Sequence, residues 1–374
     1  MRIAFLCRTP IHVFRTIQLK RQLLQGAEAD VYLFDTFPES GQVAQRLRET
    51  RMFANVYEIE EESYLVRGKA SDLRTCLKLS DFSQLLEEQD YDQLFGFNIY
   101  GAFNDLAVTR LKKHNPKLIF HMVEDGPSIY HIERRKPKTK VYLYPVLGLQ
   151  DATDHIDFWW FSCPKWMEPF GTGEKRQLPT VDKKDAALVE AVNHVFGYRE
   201  VPQLNEAKLL FMEECYRNDG LLTQDLDNAL FDAIRRRFPE EKCLVKLHPR
   251  SRENRFADTF PVMPQTAVPW EVYALNENLE NKILISLSCA TMISSKMLFD
   301  EEPCSLMLYP VLEQKIRDKA TGRLYFTQER KQKLELERTL YRNPQRFRIA
   351  QSLEEGQQII QSWLDSALLE GMGR

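Results

Sequence analysis

Glycine is sparse in this chain, 15 in 374 residues, and none of it is set out in the loops that cradle a dinucleotide or a triphosphate. No Gly-x-Gly-x-x-Gly follows an apolar run, and Gly171-Thr172-Gly173-Glu174-Lys175 lacks the spacing of a Walker loop. Dinucleotide oxidoreductases and P-loop enzymes are therefore disfavoured. The seven cysteines, at positions 7, 76, 163, 215, 243, 289 and 304, include no Cys-x-x-Cys pair, which argues against a zinc or dithiol site and for reduced, mostly buried thiols. Charge of one sign is also lacking: a net −3 does not suit a general nucleic-acid binder, and no nucleic-acid partner is expected. Nothing approaches about 18 uninterrupted apolar residues, and residues 1–7 are too short for the core of a signal peptide, so the expectation is a cytoplasmic protein.

What is present is ordinary globular material, 43% hydrophobic and 28% charged, in a chain long enough for two cores of roughly 100–200 residues. Strand-like and helix-like periodicities alternate. Residues 2–7 (RIAFLC), 29–34 (ADVYLF), 56–59, 92–97 (DQLFGF) and 117–122 (KLIFHM) read as strands, with helices over 11–24, 42–51 and 103–113. The period is lost in the polar, proline-marked stretch 197–206 and resumes with strands at 208–212, 242–247 and 282–286 and a helix over 222–238. The expected fold is α/β: two Rossmann-like domains facing a cleft, over 1–196 and 207–350. An amphipathic helix in the tail, 351–374, is expected to be able to pack back onto the first domain. The stretch 313–348 carries 11 Lys or Arg against 5 Asp or Glu, which reads as a solvated helical face, with an anionic membrane surface as the other reading.

In such sheets ligands sit beyond the carboxyl ends of the strands, so the residues there are the candidates. After 117–122 come Glu124, Asp125 and Gly126, followed by Pro127: two acids at a strand end, with a turn that keeps the backbone in place. One acid can serve as a general base, and a turn or helix cap explains the same residues. After 242–247 comes His248-Pro249, flanked by Lys246 and Arg250, where imidazolium and cations suit a phosphate. After 282–286, the hydroxyls and thiol of Ser286, Ser288, Cys289 and Thr291 open a helix running to residue 299, whose N-terminal N–H groups hold phosphate without a metal, although a simple serine cap fits too.

An acidic Asp-Gly turn, a His-Pro, and a Ser-rich helix start about 40 residues further on together resemble the bacterial sialyltransferases, in particular glycosyltransferase family 52. Thr9-Pro10-Ile11-His12-Val13 is similar to that family's amino-terminal pattern. The resemblance implies a GT-B-type fold, CMP-sialic acid as donor, an inverting reaction without metal or other cofactor, and glycan acceptors of lipooligosaccharide or capsule. It implies that Asp125 is the base, that His248 faces the CMP phosphate, and that Ser288 opens the family's Ser-Ser or Ser-Thr motif. Cys289 departs from that motif, and Ser286 or Thr291 is then needed to supply the missing hydroxyl. It places the acceptor in the first domain and the CMP-sugar in the second, and leaves a homodimer and a peripheral contact at the inner face of the membrane open.

The chemistry runs parallel to the resemblance. Breaking the bond from the anomeric carbon to phosphate builds positive character on the sugar and negative charge on the leaving group, so the site needs a base on one side and donors on the other. Asn98 and Tyr100, after 92–97, and His12 are secondary acceptor-side candidates. The aromatic run 158–161 (FWWF) reads as a buried strand, and the cluster Asp151, Asp154, His155 and Asp157 as loop chemistry rather than a metal site. A GT-B enzyme using a UDP-hexose or another CMP-keto-sugar would keep all three motifs, and a non-catalytic glycan-binding protein would need no Asp125 and His248 together.

Overall fold

The computed structural model describes residues 1–60, 74–75, 82, 85–86, 89–97, 101–131, 136, 138–167, 173–251, 253–265 and 267–366. The chain divides into two compact units, Met1–Phe196 and Gly197–Arg374.

Among the described residues the first unit holds seven strands: β1 (Arg2–Cys7), β2 (Glu28–Phe34), β3 (Asn55–Ile59), β4 (Gln93–Gly96), β5 (Ile119–Val123), β6 (Phe158–Phe161) and β7 (Glu174–Gln177). All pair in parallel, in the order β3-β2-β1-β4-β5-β6-β7. β1 and β2 are almost uniformly apolar because helices cover both faces of a parallel sheet, leaving no wet side to demand alternation. Helix α1 (Pro10–Gln22) opens on proline, whose fixed φ and missing N–H suit a first helical position. The FWWF run is β6, with Trp159 and Phe161 buried. The strand β7, whose sequence is EKRQ, has no hydrophobic signal. It is an edge strand, and its Arg176 guanidinium lies 3.4 Å over the Phe158 ring.

The second unit is also parallel: β8 (Leu209–Met212), β9 (Cys243–Lys246), β10 (Ile283–Ser286), β11 (Cys304–Met307) and β12 (Phe347–Ile349), in the order β12-β11-β10-β8-β9. Two of these, β11 and β12, lie beyond the strands read from periodicity. Helix α2 (Leu226–Arg237) starts four residues later than expected, and the stretch read as a linker contains a short helix, Pro202–Glu206, with Leu204 buried. The tail helix, Leu353–Leu364, packs on α2 in the second unit, where Gln357 donates to the Ala233 carbonyl and Trp363 to that of Gln345. The cations of 313–348 are spread among ion pairs such as Lys331–Glu313, Lys333–Glu329 and Arg338–Glu335, the pattern of a solvated face. Among the described residues no helix is long and apolar enough to cross a membrane.

Each strand order fixes where a ligand can enter. The first sheet reverses its winding between β1 and β4, and the second between β8 and β10. In open sheets of this kind ligands bind at the carboxyl ends of the strands around such a reversal.

Candidate functional site

The first half-site lies at the ends of β1, β4 and β5. The acid pair that follows β5 is divided between two tasks. Glu124 is 1% exposed, and its oxygens take four bonds, from Arg15 (2.8 Å), the Ser162 N–H (2.8 Å), the Ser162 hydroxyl and the Tyr130 hydroxyl. That carboxylate is committed to tying α1 and the residue after β6 to the end of β5, which leaves no free lone pair for an acceptor. Asp125 turns outward, its side chain 26% exposed. Gly126 has φ 139°, a backbone region that favours glycine, so the turn that presents Asp125 depends on it.

His12 faces Asp125, with Nε2 3.7 Å from Oδ2, which is beyond a hydrogen bond but within charge range. Its Nδ1 accepts from the Arg8 N–H (3.0 Å), so the proton sits on Nε2, and its ring stacks on Phe97 at 4.7 Å. Burial lowers the His12 pKa, with the Asp125 carboxylate opposing, so a neutral ring points an N–H at the acid. Asn98 and Tyr100 lie outside the described residues.

The second half-site gathers the ends of β8, β9 and β10. His248 sits after β9, half-buried, and its Nδ1 is held by the Cys215 thiol (2.9 Å) and the Arg250 N–H (3.1 Å). Burial pushes the Cys215 thiol up to about 11, so the thiol is the donor. Burial, with Arg250 and Lys246 nearby, pushes His248 down to about 4. The ring is thus neutral at pH 7 and offers an Nε2–H. The imidazolium expected at this position is a neutral donor in the free chain. Lys246, expected as a flanking cation, is 5% exposed, donates to the Leu247 carbonyl and lies 5.8 Å over the Tyr273 ring, with its pKa pulled down to about 8 by burial. Pro249 is half-exposed, and Arg250 pairs with Asp219 on the surface.

The Ser-rich segment leads into helix α3 (Thr291–Phe299), where periodicity placed it. Its donors are not all free. The Ser288 N–H donates to Glu214 (2.5 Å), as does the Ser286 hydroxyl (2.6 Å). The Cys289 N–H donates to the Ser286 hydroxyl (2.7 Å), and the Ser288 hydroxyl meets that of Tyr216. Burial pushes the Cys289 thiol up to about 12, and Thr291 stands half-exposed at the first helical position. The carboxyls after β8 were missed in the sequence, although they occupy the same strand-end position as the other motifs. Glu213 takes the His248 N–H and the Ser251 hydroxyl and pairs with Arg255 at 2.8 Å. Glu214 is 8% exposed. Among the described residues no group of three His, Cys, Asp or Glu side chains is placed to hold a metal ion. Asp151 and Asp154 pair with Lys136, and Asp157 takes the Phe120 N–H.

No family model matches the chain, and no curated protein matches it by sequence. Solved structures match its shape. The structure titled as a UDP-N-acetylglucosamine 2-epimerase of Listeria monocytogenes aligns over 100% of this chain and 88% of its own, with a TM-score of 0.52 and 11% identity. The MnaA–UDP complex of S. aureus aligns over 98% and 89%, with 0.53 and 11%. The GT-B domain of a sialyltransferase from Photobacterium damselae aligns over 91% and 97%, with 0.51 and 9%. The chain has the GT-B fold.

Proposed function

We propose that the chain is an inverting, metal-independent glycosyltransferase that moves sialic acid from CMP-sialic acid to a galactoside or similar glycan, without a cofactor. The observation that carries this reading is positional. All three motifs fall at carboxyl strand ends: the Ser-rich segment follows β10, which flanks the point where the second sheet reverses its winding, and the Asp-Gly and His-Pro segments follow β5 and β9, each one strand removed from such a point. Asp125, the exposed member of its acid pair, takes the proton of the acceptor hydroxyl as that oxygen bonds to the anomeric carbon. The bond from that carbon to the phosphate oxygen breaks with its electron pair going to CMP. His12 positions Asp125. His248 Nε2–H donates to the departing phosphate, and the start of α3 adds its dipole and remaining N–H groups. The test is incubation of the protein with CMP-sialic acid and lactose, followed by CMP release, and absence of turnover with both would remove the assignment.

A second reading keeps the half-sites and changes the donor. Two of the similar structures are titled for UDP or a UDP-sugar, and nothing in the second half-site described above selects cytosine over uracil, so UDP-hexoses belong in the same assay. A peripheral contact at the inner face of a membrane and a homodimer accompany the first reading, since a glycan acceptor on a lipid would be met there. A non-catalytic glycan-binding protein would leave Asp125 and His248 each without a task.

A further inference from the structure

Glu214 stands at the carboxyl end of β8, beside β10, where the second sheet reverses its winding. Its Oε1 is fully engaged by the Ser286 hydroxyl and the Ser288 N–H. Its Oε2 is buried and has no hydrogen-bond partner, in a side chain that is more than nine-tenths buried. A carboxylate in this position opposes any anion brought to the start of α3, because both claim the same backbone N–H groups and the same positive helix end. The groups facing it do not relieve that opposition. Glu213 beside it and Asp227 on α2 are acidic, and their charges are taken up by Arg255 at 2.8 Å from each. Tyr216 and Cys289 are held protonated by burial, as is Cys215. Burial pushes Glu214 itself up to about 7.

We propose that Glu214 carries a proton whenever an anionic nucleotide phosphate is seated at the start of α3, so that nucleotide binding takes up one proton from solvent. The inference rests on the nucleotide reading of this half-site. The neutral carboxyl keeps Oε1 as an acceptor for Ser286 and Ser288 and places an O–H on Oε2, turning an opposing charge into a donor.

The test titrates CMP, and UDP in parallel, into the full chain by calorimetry in buffers of different ionisation heat between pH 7.5 and 8.5. In that range the free phosphate, with a second pKa of about 6, no longer titrates. The expected result is uptake of close to one proton and a Kd that rises by up to about tenfold per pH unit. In Glu214→Gln the uptake should vanish and the Kd should be the same at both ends of the range. An infrared difference spectrum of the unmutated protein, with and without CMP, should show a protonated-carboxyl band appear on binding, a reading that does not depend on the variant folding. Uptake that persists in Glu214→Gln belongs to Lys246, whose amine burial pulls down to about 8, or to His248, and overturns the inference while leaving the nucleotide reading intact. A parent that binds CMP or UDP without proton uptake overturns it in the same way. A parent that binds neither nucleotide removes the nucleotide reading and the inference together.

Discussion

Asp125 and Glu124 are adjacent, yet their burial gives them opposite prospects. Asp125→Asn should leave CMP affinity within about twofold and lower turnover by about a hundredfold or more, the scale of a lost general base, as measured by CMP release. His248→Ala should weaken CMP itself by roughly one to two powers of ten, because its Nε2–H is the donor that Cys215 and Arg250 leave free to face a ligand, and a direct CMP titration measures this. Glu214 also has a stability signature. Its carboxyl is raised from an ordinary 4.5 to about 7 by burial, so the fold holds the proton more tightly than the unfolded chain does. Stability is therefore lost as pH rises from about 4.5 to about 7, by on the order of 3 kcal/mol. Glu214→Gln should melt above the parent at pH 8 and show no such gain near pH 4.5, as read by thermal unfolding.

At the scale of elements, apolar content decided what could be read. Runs such as RIAFLC and ADVYLF are strands buried on both faces, and no other element hides that many apolar residues in so short a length. The polar β7 and the three-residue β12 sit at sheet edges, where one flank is unpaired and neither alternation nor hydrophobicity is required. Gly173 shows how a glycine can serve packing instead of phosphate. A Cβ on Gly173, just before β7, would stand 2.7 Å from the Ile156 carbonyl and 2.6 Å from the Trp159 ring. Gly173→Ala should destabilise the chain by about 1–3 kcal/mol in denaturant unfolding while leaving CMP affinity unchanged.

For the whole molecule, the donor's contacts are expected to concentrate in the second unit. Adding CMP should slow amide exchange after β8, β9 and β10 and leave β1 and β2 unaltered, and protection spread evenly over both sheets would contradict the assignment of donor and acceptor halves. On the proposed reading transfer should survive excess EDTA, since His248 and the start of α3 would then meet the phosphate without a divalent cation. The alternation of strand and helix, and the motifs at the strand ends, follow from local periodicity and so were legible residue by residue. Strand order was not, because buried parallel strands look alike in sequence and only long-range pairing sets β1 beside β4 or β8 beside β10. The same long-range packing turned Glu124 inward and Asp125 outward, buried Lys246, and gave the Ser288 N–H to Glu214, since decisive partners lie far along the chain, Arg15 109 residues from Glu124 and Glu214 74 from Ser288, where no local window reaches.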